Sequence, residues 1–294
     1  MNYYLNIKKT HFYLVCLFLC SFSCKKDASK DYEALSALEL LNQTYKSHLN
    51  LSTVYLDSLM NANSKSDVLK FYKASRTQFK YAEPILGFSD KDNYKALNAP
   101  NILKVEEEDA TDIKINQPFG YQELEETIFE EPFSIEAVKL QAKKTKIRLG
   151  FVHQNIQLKL QDYHILWILR EAIARVAFTG ITGFDSPVLE ASLEESAVVY
   201  KSLKHLLEIY KSNFKSLDLY EAFQNELNQS IFNLESSNFE GFNRYDFIKK
   251  HSHKQLELIN ASKKDWNVNF PYNLAFNSSI TSFFSEETFN MDFF

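Results

Sequence analysis

Only six glycines and six prolines interrupt the 294 residues. Between these breakers apolar residues recur three or four positions apart, a spacing that places them on one face of an α-helix and scatters them over both faces of a strand. Leu35, Leu38, Leu41, Tyr45, Leu49, Tyr55 and Leu59 keep this rhythm over residues 31–61. Val68, Phe71, Tyr72 and Phe79 continue it over 66–82, and Pro84 is expected to close that helix, since proline lacks an N–H and crowds the preceding turn. The periodicity fades between Gly87 and Gln117, which reads as a long ordered loop with a short helix at 92–97 and an acidic run from Glu106 to Asp109.

Pro118 then opens a helix to Glu130, in a first turn where proline is tolerated. Ser134 starts another that runs to about Leu160, and Asp162 starts the most apolar one, which carries Trp167 and Arg170 and ends at Phe178. The string Gly180-Ile181-Thr182-Gly183-Phe184-Asp185-Ser186-Pro187 is the strongest break, with Asp185-Ser186-Pro187 expected to cap a helix from Val188. Helices over 188–213, 217–236 and 244–264 follow. Residues 267–294 are rich in Asn, Ser and Phe without helical period, and their eight aromatic residues are too many for a free tail. The expected fold is all-α, a helical bundle of about seven to eight helices spanning 31–266, with an irregular aromatic tail over 267–294.

The first residues have a different character. Lys8 and Lys9 precede an apolar stretch from Phe12 to Leu19, and Ser23-Cys24 closes it, the zones of a secretory signal over 1–23 with Cys24 as a lipidation site. Residues 24–30 then form a polar tether. All three cysteines, Cys16, Cys20 and Cys24, lie in this region, so the rest of the chain cannot form a disulfide, a thiolate metal site or a thioether-linked haem. Removal of residues 1–23 leaves 31 basic against 38 acidic residues, a charge of −7. That balance argues against nucleic acid as a partner and leaves the acyl chains as the expected membrane contact. No phosphate loop, dinucleotide fingerprint, Gly-x-Ser-x-Gly or His-Glu-x-x-His is present, so nucleotide binding and hydrolytic chemistry have no support.

Two resemblances add to this reading. Gly120-Tyr121-Gln122-Glu123-Leu124-Glu125 resembles the glycine and His-x-x-Glu signature of imelysin-like domains, exported helical bundles linked to iron. Gln122 stands at the histidine position and Glu125 is kept. The strings Phe79-Lys80-Tyr81-Ala82-Glu83-Pro84-Ile85-Leu86, Leu97-Asn98-Ala99-Pro100-Asn101, Val105 to Asp109, Asp162-Tyr163-His164 and Gly180 to Pro187 are similar to the helical region that precedes the haem domain in certain membrane-anchored dihaem cytochrome c peroxidases. This second resemblance implies an accessory or docking module whose partner is a dihaem peroxidase or c-type cytochrome chain. Any haem c would sit in that partner, because no cysteine after Cys24 can attach it. The expected place is the cell envelope, most simply the outer membrane facing the periplasm. The first resemblance implies the alternative, a stand-alone lipoprotein that binds iron or another cation.

The candidate cation ligands are Glu125, Gln122, Glu107, Glu108 and Asp109, an oxygen-rich set suited to a hard cation; the plain alternative is a solvated acidic loop and a structural Glu125. Gly120, Gly180, Gly183, Asp185 and Pro187 are read as structural. No residue is a catalytic candidate. His251 and His253 are two apart and do not share a helix face, His153 and His164 sit on successive helices, and Tyr163, His164, Arg170 and Glu171 are expected to form a structural polar cluster.

Overall fold

The computed structural model describes residues 35–293 apart from 101, 103, 110 and 111, and gives 104–116 as backbone only. The leader, Cys24 and the tether lie outside the described residues. Helix α1 (Ala37–Met60) begins where Ser36 and Glu39 form a capping box, with Ser36 N–H donating to Glu39 Oε2 at 2.9 Å and Glu39 N–H donating to Ser36 Oγ at 3.3 Å. Helix α2 (Lys65–Ser89) starts at a second serine cap, Ser64, whose Oγ accepts from Asp67 N–H.

Pro84 does not end α2, contrary to expectation. The helix passes through it for five more residues, because Ala82, Glu83, Ile85 and Leu86 around it are all buried. Their burial offsets the roughly 3 kcal/mol a mid-helix proline costs.

The short helix α3 (Lys91–Leu97) forms as expected. The acidic run does not form a loop. It lies in strand β1 (Lys104–Asp109), which pairs antiparallel with β2 (Asp112–Asn116), Glu107 opposite Ile113 and an irregularity between Glu107 and Asp109. The two-residue alternation of Ile113, Lys114 and Ile115 is the strand signal that the acidic composition obscures. The longer elements that follow are helices: α4 (Tyr121–Phe129), α5 (Ile135–Asn155), α6 (Asp162–Phe178), α7 (Ser192–Ile209), α8 (Leu217–Ser236), and α9 (Arg244–Phe247) continuing through a π segment (Ile248–Ser252) into α10 (His253–Asp265). The architecture is thus an all-α bundle with one hairpin inserted.

Helix α6 is apolar over most of its circumference, and Ile165, Leu166, Trp167, Ile168, Leu169, Ile173 and Val176 are all buried, with only a narrow half-buried polar stripe of His164, Glu171 and Arg175. Helix α2 is the other central element and touches α1, α4, α6 and α7. Residues 267–293 lie on the bundle itself. Phe270 and Tyr272 pack on Trp167 with ring centroids 5.4 and 5.3 Å away, Phe283 packs on Phe178 at 5.0 Å, and Ile280 and Phe283 are buried. Three polar ties support these contacts. Arg170 Nη1 donates to Asn277 O at 3.1 Å, Asn260 Nδ2 donates to Ile280 O at 2.8 Å, and His253 Nε2 accepts from Phe283 N–H at 3.1 Å.

The last tie makes the tail sensitive to pH. Burial holds the His253 pKa below the ordinary histidine value, an effect Lys249 reinforces and Glu257 opposes. Only the neutral ring accepts the Phe283 N–H, so the tie is at full strength above the ordinary value of about 6.5 and weakens as pH falls through the lowered one. Amide exchange over residues 276–290, relative to α6, is expected to accelerate between pH 7.5 and 5.5 in the wild type and to lose that dependence in His253→Gln. A wild-type tail equally protected at both values would show that the ring does not hold it.

Candidate functional site

Residues that are widely separated in the chain meet at one buried polar centre. Arg76, Lys80 and Glu83 stand four and three residues apart on α2, so they share a face. That face looks toward Glu195 on α7, Asn98 after α3 and Asp185 in the turn that precedes α7. Arg76 binds Glu195 through two nitrogens, at 2.8 and 2.9 Å, and also donates to Asn98 Oδ1 at 2.8 Å and to the Asp185 carbonyl at 2.9 Å. Lys80 Nζ lies 2.7 Å from Asp185, 2.8 Å from Glu83 and 3.3 Å from Glu195. Asn98 Nδ2 closes the ring with a bond to Asp185 Oδ1 at 3.0 Å, and Tyr94 donates to Glu83 at 2.9 Å.

All these side chains but the half-buried Tyr94 are buried, and an isolated charge in such a place would neutralise itself. Here three cations, counting Arg175 at 4.0 Å from Glu83, face three carboxylates. Burial alone would raise the Asp185 pKa, but the Lys80 ammonium and the Arg76 guanidinium outweigh it and hold the carboxyl at about 2. Lys80 and Arg76 are driven the other way, above their ordinary values, by the same carboxylates against the same cost of burial. Asp185, Lys80 and Arg76 therefore keep their charge through the neutral range, which suits a fixed lattice rather than a proton relay.

A fourth buried carboxylate adjoins this lattice. Glu125 on α4 accepts at Oε1 from the backbone N–H groups of Val188 and Leu189, both at 2.9 Å, and at Oε2 from the Tyr72 hydroxyl at 2.8 Å. Ser186 Oγ lies 3.1 Å from both oxygens. The lone pairs a cation would need are thus already engaged by donors. Gln122 is buried too, but its Nε2 turns to the Asn98 carbonyl at 3.4 Å, so the two residues of the imelysin-like signature serve different partners. The side chains of Glu107, Glu108 and Asp109 fall outside the described residues. Among the described residues no cluster of three or more His, Cys, Asp or Glu is arranged to hold a metal ion.

The Asp185-Ser186-Pro187 turn is not the expected helix cap. Helix α7 begins only at Ser192, and Asp185 and Ser186 point inward to Lys80 and Glu125. A cap contributes about 1 kcal/mol, whereas a buried ammonium left without its carboxylate costs several times more. Pro187 is exposed at the outer edge of the turn, next to the two N–H groups that reach Glu125.

The glycines expected to be structural have specific duties. Gly120 takes φ +117° at the start of α4, and a Cβ there would stand 2.5 Å from the Leu97 carbonyl oxygen. Gly183 takes φ +92° in the turn, where a Cβ would meet the Phe239 ring at 2.6 Å, and a Cβ on Gly180 would stand 2.7 Å from Ser196 Oγ. Beside Gly120, Tyr121 sends its hydroxyl between Ser52 and Ser75, with Ser75 Oγ 2.8 Å away and Ser52 Oγ in direct contact, so α1, α2 and α4 share one hydroxyl cluster. Gly120→Ala would push α4 off this position, at a cost of about 2 kcal/mol or more. The melting temperature is expected to fall by about 5 °C or more. An unchanged transition would mean that α4 does not depend on close approach to α3.

The remaining histidines and aromatics take local roles. His164 Nδ1 accepts from Gln161 N–H at 2.9 Å, His251 pairs with Glu226 at 2.8 Å, Arg170 lies over the Phe270 ring, and Glu171 is answered by Lys91 at 3.8 Å. Tyr163 and His164 stay together with ring centroids 4.1 Å apart, while Arg170 and Glu171 serve separate partners, so the expected cluster of four does not form.

Arg76 and Glu195 also line one side of a cleft of about 410 Å³, with Lys73, Glu194 and Lys201 among its other walls. Sequence reading did not single out Arg76 or Glu195. The available signal was the charged stripe of 76, 80 and 83 on a helix whose neighbouring positions, Tyr72 and Phe79, are core residues.

No family model matches the chain, and no curated protein matches it significantly. Fold and site together define a class: an all-α bundle whose helices are locked by a charge-balanced buried lattice.

Proposed function

We propose that the chain is a lipid-anchored, exported helical domain that serves a cytochrome c peroxidase-type system as a docking or accessory module, with any haem c carried by the partner chain. One observation supports this reading above the others. Three of the five strings that resemble the helical region of the membrane-anchored peroxidases converge in space: Phe79, Lys80 and Glu83 from the first, Asn98 from the second and Asp185 from the last surround the same buried centre. Strings with so specific a joint task are those a shared fold would keep, whatever chemistry the partner performs. The leader and Cys24 supply the export and the anchor at the outer membrane, facing the periplasm.

The test is purification of the protein from detergent-solubilised envelopes, with intact mass and haem content read on the same sample. The expected result is acyl mass on Cys24, absent in Cys24→Ser, and a co-purifying chain with two Cys-x-x-Cys-His motifs in fixed ratio. A haem-free preparation that carries stoichiometric metal, lost on Glu125→Ala, would overturn the docking reading in favour of the cation-binding one.

A further inference from the structure

Helix α5 departs from the rest of the chain in charge and in what it shows to solvent. It buries Val138, Ala142, Thr145, Leu149 and Val152, as a bundle helix should. Its opposite side is also apolar. Leu140, Ile147 and Phe151 are 55%, 63% and 53% exposed, and their seven- and four-residue spacing puts them in one line along the outer surface, about 16 Å long. Phe119 and the Arg148 stem extend this line into a shallow groove.

The flanks of the line are basic. Helix α5 carries Lys139, Lys143, Lys144, Lys146 and Arg148 against a single acid, Glu136, in a chain whose net charge is −5. Lys146 is taken by Asp57 at 2.6 Å, Arg148 by Asn93 at 3.1 Å, and Lys144 lies near Glu123. Lys139 and Lys143 have no carboxylate partner among the described residues. Exposed apolar side chains alone would not specify an occupant. Phe232 on α8 is more exposed still, at 73%, but α8 carries four acids and no base.

From this we infer that the outer face of α5 rests on anionic lipid headgroups. Leu140, Ile147 and Phe151 enter the interface, and the lysines on either side meet the headgroup charge, as long basic side chains beside an apolar stripe do. The overall acidity of the chain disfavours other orientations, so the net charge that argues against general lipid binding selects this one face. The inference rests on the anchor proposed at Cys24. Eleven residues separate Cys24 from Ser36, a reach of at most about 40 Å when extended, so the bundle stays close to the bilayer. Among the described residues no helix is long and apolar enough to cross a membrane, so the stripe is a surface contact and not a span.

The acylated cysteine leaves the mature lipoprotein without a free thiol, so Ile147→Cys offers a unique site for an environment-sensitive dye, and Phe232→Cys provides the control. Each labelled lipoprotein is reconstituted in vesicles of phosphatidylcholine with or without phosphatidylglycerol. The dye at 147 is expected to shift to the blue and to resist an aqueous quencher only where phosphatidylglycerol is present. High salt should reverse the effect, and adding Lys143→Glu and Lys144→Glu should weaken it about tenfold. The dye at 232 should stay exposed throughout. Equal quenching at 147 and 232 would overturn the inference. Protection at 147 without vesicles would overturn it too, and would assign the face to another segment or a second copy. Should intact mass show no acyl chain, the anchor alone fails. Salt-sensitive sedimentation of the unlabelled chain with phosphatidylglycerol vesicles then decides for α5, and its absence decides against.

Discussion

Asp185→Ala is expected to destabilise the domain by about 3–5 kcal/mol, the cost of leaving a buried cation without its partner. The substitution removes the closest carboxylate to Lys80, at 2.7 Å, and one of the two acceptors of Asn98. Glu83 and Glu195 remain near the ammonium, yet neither can move to the vacated position without giving up Tyr94 or Arg76. Asp185→Asn keeps the size and an acceptor oxygen but loses the charge, so it should fall between wild type and alanine. Urea unfolding measures this directly as a lower midpoint at unchanged slope. A loss below about 1 kcal/mol would mean that the lattice relaxes around the gap and does not lock the helices.

The same group sets an acid limit. With its folded value held at about 2 against an ordinary 3.8, Asp185 contributes fully above the ordinary value, and its contribution disappears as pH falls from there through about 2. Wild-type stability should therefore drop steeply between about pH 4 and 2, and Asp185→Asn should show a shallower drop.

Glu125→Ala is the second large effect. It removes the acceptor of the Ser186 hydroxyl and of the Val188 and Leu189 N–H groups, while the Tyr72 hydroxyl keeps only the Tyr121 carbonyl at 3.2 Å. Each unsatisfied buried donor costs about 1–3 kcal/mol, and partial relaxation should hold the total near 3–5 kcal/mol. The damage should also be local, with amide exchange at residues 188 and 189 rising before that of α6. Glu125→Gln is expected to lose less, since its amide oxygen can keep the 188 and 189 N–H groups while its nitrogen donates to the Tyr72 and Ser186 hydroxyls, which can turn to accept. Added divalent cations separate this structural role from ligation. If Glu125 binds metal, calcium or ferrous ion should raise the wild-type melting temperature and leave Glu125→Ala unmoved.

Much of the bundle was legible before any coordinates. Ser134 reads as the start of α5 and is its cap, while the apolar rhythm places the first two helices at 31–61 and 66–82 and only the structure sets their starts at the Ser36 and Ser64 caps. The apolar rhythm of α6 foretold a buried helix. The excess of aromatics after Trp266 foretold a tail that leans on something, and its contact with Trp167 and Phe178 shows that it leans on its own domain. Glu125 was visible only as half of a signature and Asp185 only as a turn residue, and neither spacing nor composition named what they bind.

The division follows from range. Caps, helical rhythm and the break at Gly180 are settled between residues a few positions apart, so their outcome is written in adjacent letters. Asp185 turning inward instead of capping, and Glu125 filled by Tyr72 and the 188–189 amides, depend on partners 53 to 105 positions distant, and Pro84 continuing a helix depends on the burial of the residues around it. Which distant donor reaches a buried carboxylate depends on how the helices pack, and there the several kcal/mol of burying charge outweigh the roughly 1 kcal/mol of a local preference. Only the assembled bundle brings those partners within hydrogen-bond distance.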